Sequence, residues 1–134
     1  MNKTEISLLL SQEAGTLGYL PTRWTVNDEV FLKTTKSEPI PTRIDLQISL
    51  PSRIKIQIIG LNLSFGAIEL QSIVLAKVPI HESVLHNLCQ HKSQNDTIKY
   101  GRIWNSNTEI TIDLNFNDPL YWHMVHNRPT EYNK

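Results

Sequence analysis

The sequence predicts a mostly β protein: an antiparallel β-sandwich of jelly-roll type with one short amphipathic helix near residues 81–92. Three observations carry that expectation. Four stretches alternate apolar and polar side chains with a period of two, which sets one face of each strand against a core and the other in water. Turn residues recur between the strands, at Pro39 and Pro41, Pro51-Ser52, Gly66 and Asn117-Asp118-Pro119. No long helical pattern separates one strand from the next, which argues against a parallel α/β sheet.

Each element has its own justification. Weaker strands are expected at residues 5–10 and 30–33. In "RIDLQISL" Ile44, Leu46, Ile48 and Leu50 point one way while Asp45, Gln47 and Ser49 point the other. "RIKIQII" repeats the pattern, with Ile54, Ile56 and Ile58 inward and Lys55 and Gln57 outward. "AIELQSIVLAK" begins with Ile68 and Leu70 on one side, then turns almost wholly apolar through Ile73, Val74 and Leu75, as in a strand covered on both faces. In "PIHESVLHNLCQHKS" Ile80, Val84, Leu85, Leu88 and Cys89 recur at helical spacing, with Glu82 in the first turn and His91 and Lys92 in the last. A further weak strand is expected at 99–104. "EITIDLNF" closes the series, with Ile110, Ile112, Leu114 and Phe116 on one face.

Size and composition bound the function. The 134 residues suit a single domain over 1–134, which can remove about two thirds of its unfolded surface from water. With 40% hydrophobic and 19% charged residues the chain is globular rather than disordered. Thirteen basic residues balance thirteen acidic ones, whereas nucleic-acid binders carry a basic surplus, so no nucleic-acid partner is expected. The one cysteine, Cys89, cannot form an internal disulfide, and the expected compartment is cytoplasmic. The apolar run from Ile6 to Leu10 is interrupted by Ser7 and preceded by Glu5. That is too short to span a bilayer, so no membrane insertion is expected.

Catalytic and metal chemistry find little support. His81, His86 and His91 are spaced by five, which on a helix turns each about 140° from the last and leaves no shared face. His123 and His126 have a chelating spacing if that segment is helical, yet no nearby carboxylate or cysteine completes a ligand set. No metal or other cofactor is expected. There is no Gly-x-Ser-x-Gly elbow, and Cys89 sits on the apolar stripe as an inert thiol. Glu69 and Asp113 lie on outward faces of separate strands, where carboxylates are ordinarily solvated. A non-enzyme is the resulting expectation.

The aromatic residues carry more weight. Trp104 and Trp122 adjoin strands and are expected in the core. Trp24 follows a proline in the loop-like stretch "LPTRWTVNDE", close to Tyr19 and Arg23. An aromatic ring beside a hydroxyl and a cation suits a sugar, so Tyr19, Arg23 and Trp24 form the candidate binding set.

The run "ISLPSRIKIQIIGLNLSFGAIELQSIVL", followed by "FNDPLYW", resembles the β-sandwich accessory domains of bacterial multidomain glycosyltransferases and related polysaccharide-modifying proteins. The match lies in Ser49 to Pro51, Gly66 to Leu75 and Asn117 to Pro119. An Asp-Pro of that pattern is replaced here by Ile59-Gly60. The resemblance implies a sandwich like those of carbohydrate-binding modules, without catalysis of its own. Two readings follow: a glycan-binding module, and a protein-interaction or self-assembly module that uses an exposed sheet edge and residues 121–134.

Overall fold

The computed structural model describes residues 3–13, 18–35, 37–59, 67–93, 98–104 and 108–129. In chain order the elements are β1 (Thr4–Glu13), β2 (Thr22–Val26), β3 (Glu29–Thr34), β4 (Arg43–Ile48), β5 (Ser52–Ile58), β6 (Ala67–Leu75) and β7 (Val78–Pro79). There follow α1 (Glu82–Leu88), β8 (Cys89–Ser93), β9 (Ile98–Tyr100), β10 (Ile103–Trp104), β11 (Thr108–Leu114) and α2 (Pro119–His126). Two antiparallel sheets face each other, as the sequence predicts. One runs β10-β6-β1-β4, with β7 also pairing β6, and the other runs β3-β2-β5-β11-β8-β9.

Alternation decides which face of each strand is buried. Ile54, Ile56 and Ile58 of β5 meet Ile110, Ile112 and Leu114 of β11 in the core, against Ile6, Leu8 and Leu10 of β1 from the other sheet. In β6 the inward set shifts from Ile68 and Leu70 to Ile73 and Leu75, because the register with β1 slips between Leu9 and Leu10. That slip explains the apolar run in the sequence. An extra residue moves the inward phase from even to odd positions, leaving Val74 half-buried between Ile73 and Leu75.

Three elements differ from the sequence reading. Residues 22–26 form strand β2 rather than a loop, joined to β3 by a tight turn in which Asn27 and Asp28 take positive φ of 49° and 70°. Such turns fit the twist of a hairpin, and Asn and Asp tolerate the left-handed region better than most residues. The Asn27 side chain then locks the turn to β5, accepting from the Arg53 backbone N–H and donating to Ser52 Oγ.

The helix expected over 81–92 ends at Leu88, and Cys89 to Ser93 form β8 between β11 and β9. Helical and strand spacing coincide here, since Cys89 lies on the helical stripe and also alternates with Gln90, His91 and Lys92. The open edge of β11 settles the competition by offering backbone partners that a longer helix would leave unpaired. The third difference is α2. Asp118 caps it by accepting from the N–H groups of Leu120 and Tyr121, and Pro119 occupies the first turn.

Cys89 has no solvent exposure, and burial pushes its thiol up to about 12. The native protein at pH 8 should therefore leave Cys89 unmodified by a thiol reagent that titrates one thiol after denaturation. Rapid labelling without denaturant would contradict this burial.

Candidate functional site

A concavity of about 650 Å³ lies at one end of the sandwich, between α1, α2 and the end of β11. Three local features build it. Beyond Ile112 and Leu114, which point into the core, the alternation of β11 leaves Asp113 and Asn115 facing outward. The chain then turns through Phe116 and Asn117 to the Asp118 cap, which fixes where α2 begins. From α2, Trp122 lies almost flat on Phe116, with ring centroids 4.9 Å apart and planes 11° from parallel.

A polar clasp holds α2 in place. Asn127 Oδ1 accepts the backbone N–H of His81 at 2.6 Å, which identifies Nδ2 as the donor to the carbonyl of Pro79 at 2.9 Å. Nδ2 also approaches His123 Nδ1 at 2.8 Å, so that ring nitrogen accepts and Nε2 carries the proton donated to the carbonyl of Leu75 at 2.7 Å. Both nitrogens of His123 are thus committed. The chelating pair with His126 suggested by their spacing is not available, although the segment is helical.

The groove so formed has an aromatic floor from Phe116 and Trp122 and a rim of hydrogen-bonding groups. Asn115 and Asn117 supply amides, Tyr121 a phenol at 58% exposure, and His126 an imidazole. A second, more polar cleft of about 340 Å³ adjoins it and shares Asp113 and Asn115. The β2–β3 turn and β5 complete that cleft, with Asp28, Arg53 and Lys55 among its walls.

The residues singled out in the sequence lie elsewhere. Trp24 is not on a loop: it is fully buried, its indole N–H donates to Thr22 Oγ1 at 2.7 Å, and its ring tilts against Trp104 and Phe31. A ring without accessible surface offers no platform to a sugar, which corrects the expectation for this residue. Arg23 is the outward neighbour of Trp24 on β2, half-buried, with Nη1 at 3.4 Å from Gln57 Oε1. Tyr19 is half-buried just before the strand. Arg23 and Trp24 therefore point to opposite faces of one sheet and cannot hold one ligand between them.

Trp104 is in the core, with its indole N–H donating to the carbonyl of Gly101 at 2.9 Å. Glu69 and Asp113 occupy different sheets, so they do not face each other as a carboxylate pair. His81 Nδ1 and Ser83 Oγ lie 3.0 Å apart, but His81 is the N-cap of α1 and Ser83 is buried. That contact closes a helix end. His91 lies on β8 with its imidazole beside Gly101 and His86, and burial foremost holds its pKa below the usual histidine range, helped by the charge of Lys99. Among the described residues no group of three or more His, Cys, Asp or Glu side chains converges as a metal site would require. The stretch from Gly60 to Gly66 lies outside the described residues.

The missed groove had two signals in the sequence. Asp118-Pro119 is an N-cap followed by a first-turn proline, and Phe116, Trp122 and Tyr121 cluster around it.

No protein-family model and no curated protein matches the sequence. Two solved structures share the fold. One is a selenomethionine form of vCBM60, described in connection with a circular permutation linking two families of calcium-dependent carbohydrate-binding modules. It aligns at a TM-score of 0.55 and 11% identity, over 82% of this chain and 90% of that one. The other is vCBM60 in complex with galactobiose, at a TM-score of 0.54 and 11% identity, over 81% of this chain and 97% of that one. The chain thus has the β-sandwich fold of carbohydrate-binding modules.

Proposed function

We propose that the protein is a non-catalytic glycan-binding module whose ligand lies in the groove between α1, α2 and the end of β11. The half-buried Phe116 ring, backed by the buried Trp122, carries this reading, because it sets apolar aromatic surface among amides and a phenol. A sugar ring needs that combination: its C–H face packs on an aromatic ring while its hydroxyls take hydrogen bonds from planar side chains. The likeness to vCBM60, solved with galactobiose, supports it. The sequence resemblance to accessory domains of polysaccharide-modifying enzymes fits a module that serves a separate catalytic unit.

For the calcium dependence named for the neighbours' families, this groove brings together no group of three His, Cys, Asp or Glu side chains among the described residues. Calcium takes six to eight oxygens, often several from carboxylates. Here Asp118 Oδ1 accepts the N–H groups of the α2 cap and Asp113 Oδ2 lies 3.3 Å from Arg53 Nη2.

A glycan array probed with the labelled protein tests the proposal, followed by calorimetry on the best ligand. Tyr121→Ala, at an exposed position, should weaken binding about tenfold, equivalent to roughly 1.4 kcal/mol. Arg23→Ala tests the sequence-derived position in the same assay. A blank array from folded protein would sink the glycan reading.

The assembly reading has its own observation in α2. Leu120, Tyr121, Met124 and Val125 are 63, 58, 62 and 42% exposed, an apolar stripe facing solvent. Met124→Asp separates the two readings, since Met124 does not line the groove. A change in oligomeric state with glycan binding intact would assign α2 to assembly.

A further inference from the structure

We infer that the bound glycan is anionic and that its carboxylate or sulfate groups lie on the outer face of the six-stranded sheet, with Lys55 at the centre. The inference rests on the glycan-binding reading and names the ligand class that the same end of the molecule selects.

Strand register places the charges. Paired residues share a face, so Lys33, Arg23, Gln57, Glu109 and Lys92 form one row across β3, β2, β5, β11 and β8. The next row toward the groove is Thr25, Lys55 and Thr111, and the last is Arg53 and Asp113. Successive rows are about 7 Å apart, two residues along a strand. A chain leaving the aromatic floor at Asp113 therefore meets Lys55 next, then Arg23.

The carboxylates on these rows already have donors. Glu109 Oε2 lies 3.3 Å from Gln57 Nε2, and Asp113 is paired with Arg53. Lys55 differs. Its cross-strand neighbours are threonines, and among the described residues its ammonium has no ion-pair or hydrogen-bond partner. Asp28 is the other carboxylate of the adjoining cleft, and it sits on the β2–β3 turn at the cleft wall rather than in these rows. In a chain of zero formal net charge, the cations of these rows, Lys33, Arg23, Lys55, Arg53 and Lys92, outnumber their carboxylates, Glu109 and Asp113. Such a face favours a ligand carrying spaced negative charges and neutral hydroxyls between them.

The test compares matched polymers: polygalacturonate against its methyl ester, and a sulfated glycan against its desulfated form, with single-stranded DNA as a polyanion that lacks pyranose rings. The acidic form of at least one pair should bind about tenfold tighter than its neutral form, with a preference that fades as salt is raised. Lys55→Gln should remove most of that preference by weakening the acidic form far more than the neutral one, Lys55→Arg should keep it, and Lys55→Glu should reverse it. Array ligands bound without any charge preference would overturn this inference and leave the glycan-binding function standing. DNA bound as tightly as the acidic glycans would overturn it too, by reducing the face to a general polyanion patch. If the folded protein binds no glycan, both proposals fall together.

Discussion

Trp24→Ala should destabilise the protein by about 4 kcal/mol, the range for deleting a large aromatic side chain from a packed core. The thermal midpoint should fall by roughly 10–20 °C. The loss has two sources. The indole fills the space between the sheets beside Trp104, at 6.3 Å between ring centroids, and alanine leaves a cavity that β-sheet backbone cannot collapse to fill. The indole N–H also starts a buried chain of hydrogen bonds, from Trp24 to Thr22 Oγ1 and on between the Thr22 and Thr34 hydroxyls, 2.6 Å apart. Trp24→Phe separates the two sources: it keeps most of the packing and removes one donor, so about 1–2 kcal/mol is expected. Chemical denaturation of the three proteins gives the comparison. Equal stability of wild type and Trp24→Ala would mean that the ring is not in the core.

Asn127→Ala should release α2 from the sheet. One side chain ties together the backbone N–H of His81, the carbonyl of Pro79 and the ring of His123. Its removal leaves these groups without their partner at a half-buried site, and a loss of about 2–3 kcal/mol follows. The functional effect should exceed the effect on folding, because Trp122 and Tyr121 form the groove only while α2 is docked. Glycan affinity should fall below detection while the sandwich still melts cooperatively. Asn127→Asp is a sharper variant: it keeps the acceptor for His81 but turns an oxygen toward the Pro79 carbonyl and the accepting nitrogen of His123. It should be at least as damaging as alanine, and wild-type binding by either variant would refute the role given to this clasp.

The sheets were legible because burial on one face writes a period of two into the side chains, as in Ile54, Ile56 and Ile58. What escaped was set by partners distant in sequence. Nothing local tells Gln90 and His91 that β11 has an open edge waiting for them, so their helical and extended periods cannot be told apart. Trp24 misled for a related reason. A proline and a turn flank its short strand, and five residues show too little alternation to outweigh them. The α2 cap was readable in Asp118-Pro119, but the groove depends on Asn127, which looks like any polar residue after a helix. Its importance comes from His81 and Pro79, more than forty positions earlier in the chain.

The place of β1 in its sheet bears on how the chain folds. It is flanked by β4 on one side and β6 on the other, and both are synthesised after it. The hairpin of β2 and β3 can close as soon as it leaves the ribosome, and β5 can join it a few residues after β4. β1 must instead wait for residue 48 before β4 can pair one edge, and for residue 75 before β6 can pair the other. Long-range pairing of this kind slows folding and leaves a sticky strand uncovered in the meantime. Assembly of the five-stranded sheet should therefore set the pace for the whole domain, and fusions or tags that crowd β1 should impair yield far more than changes at the solvent face of β9.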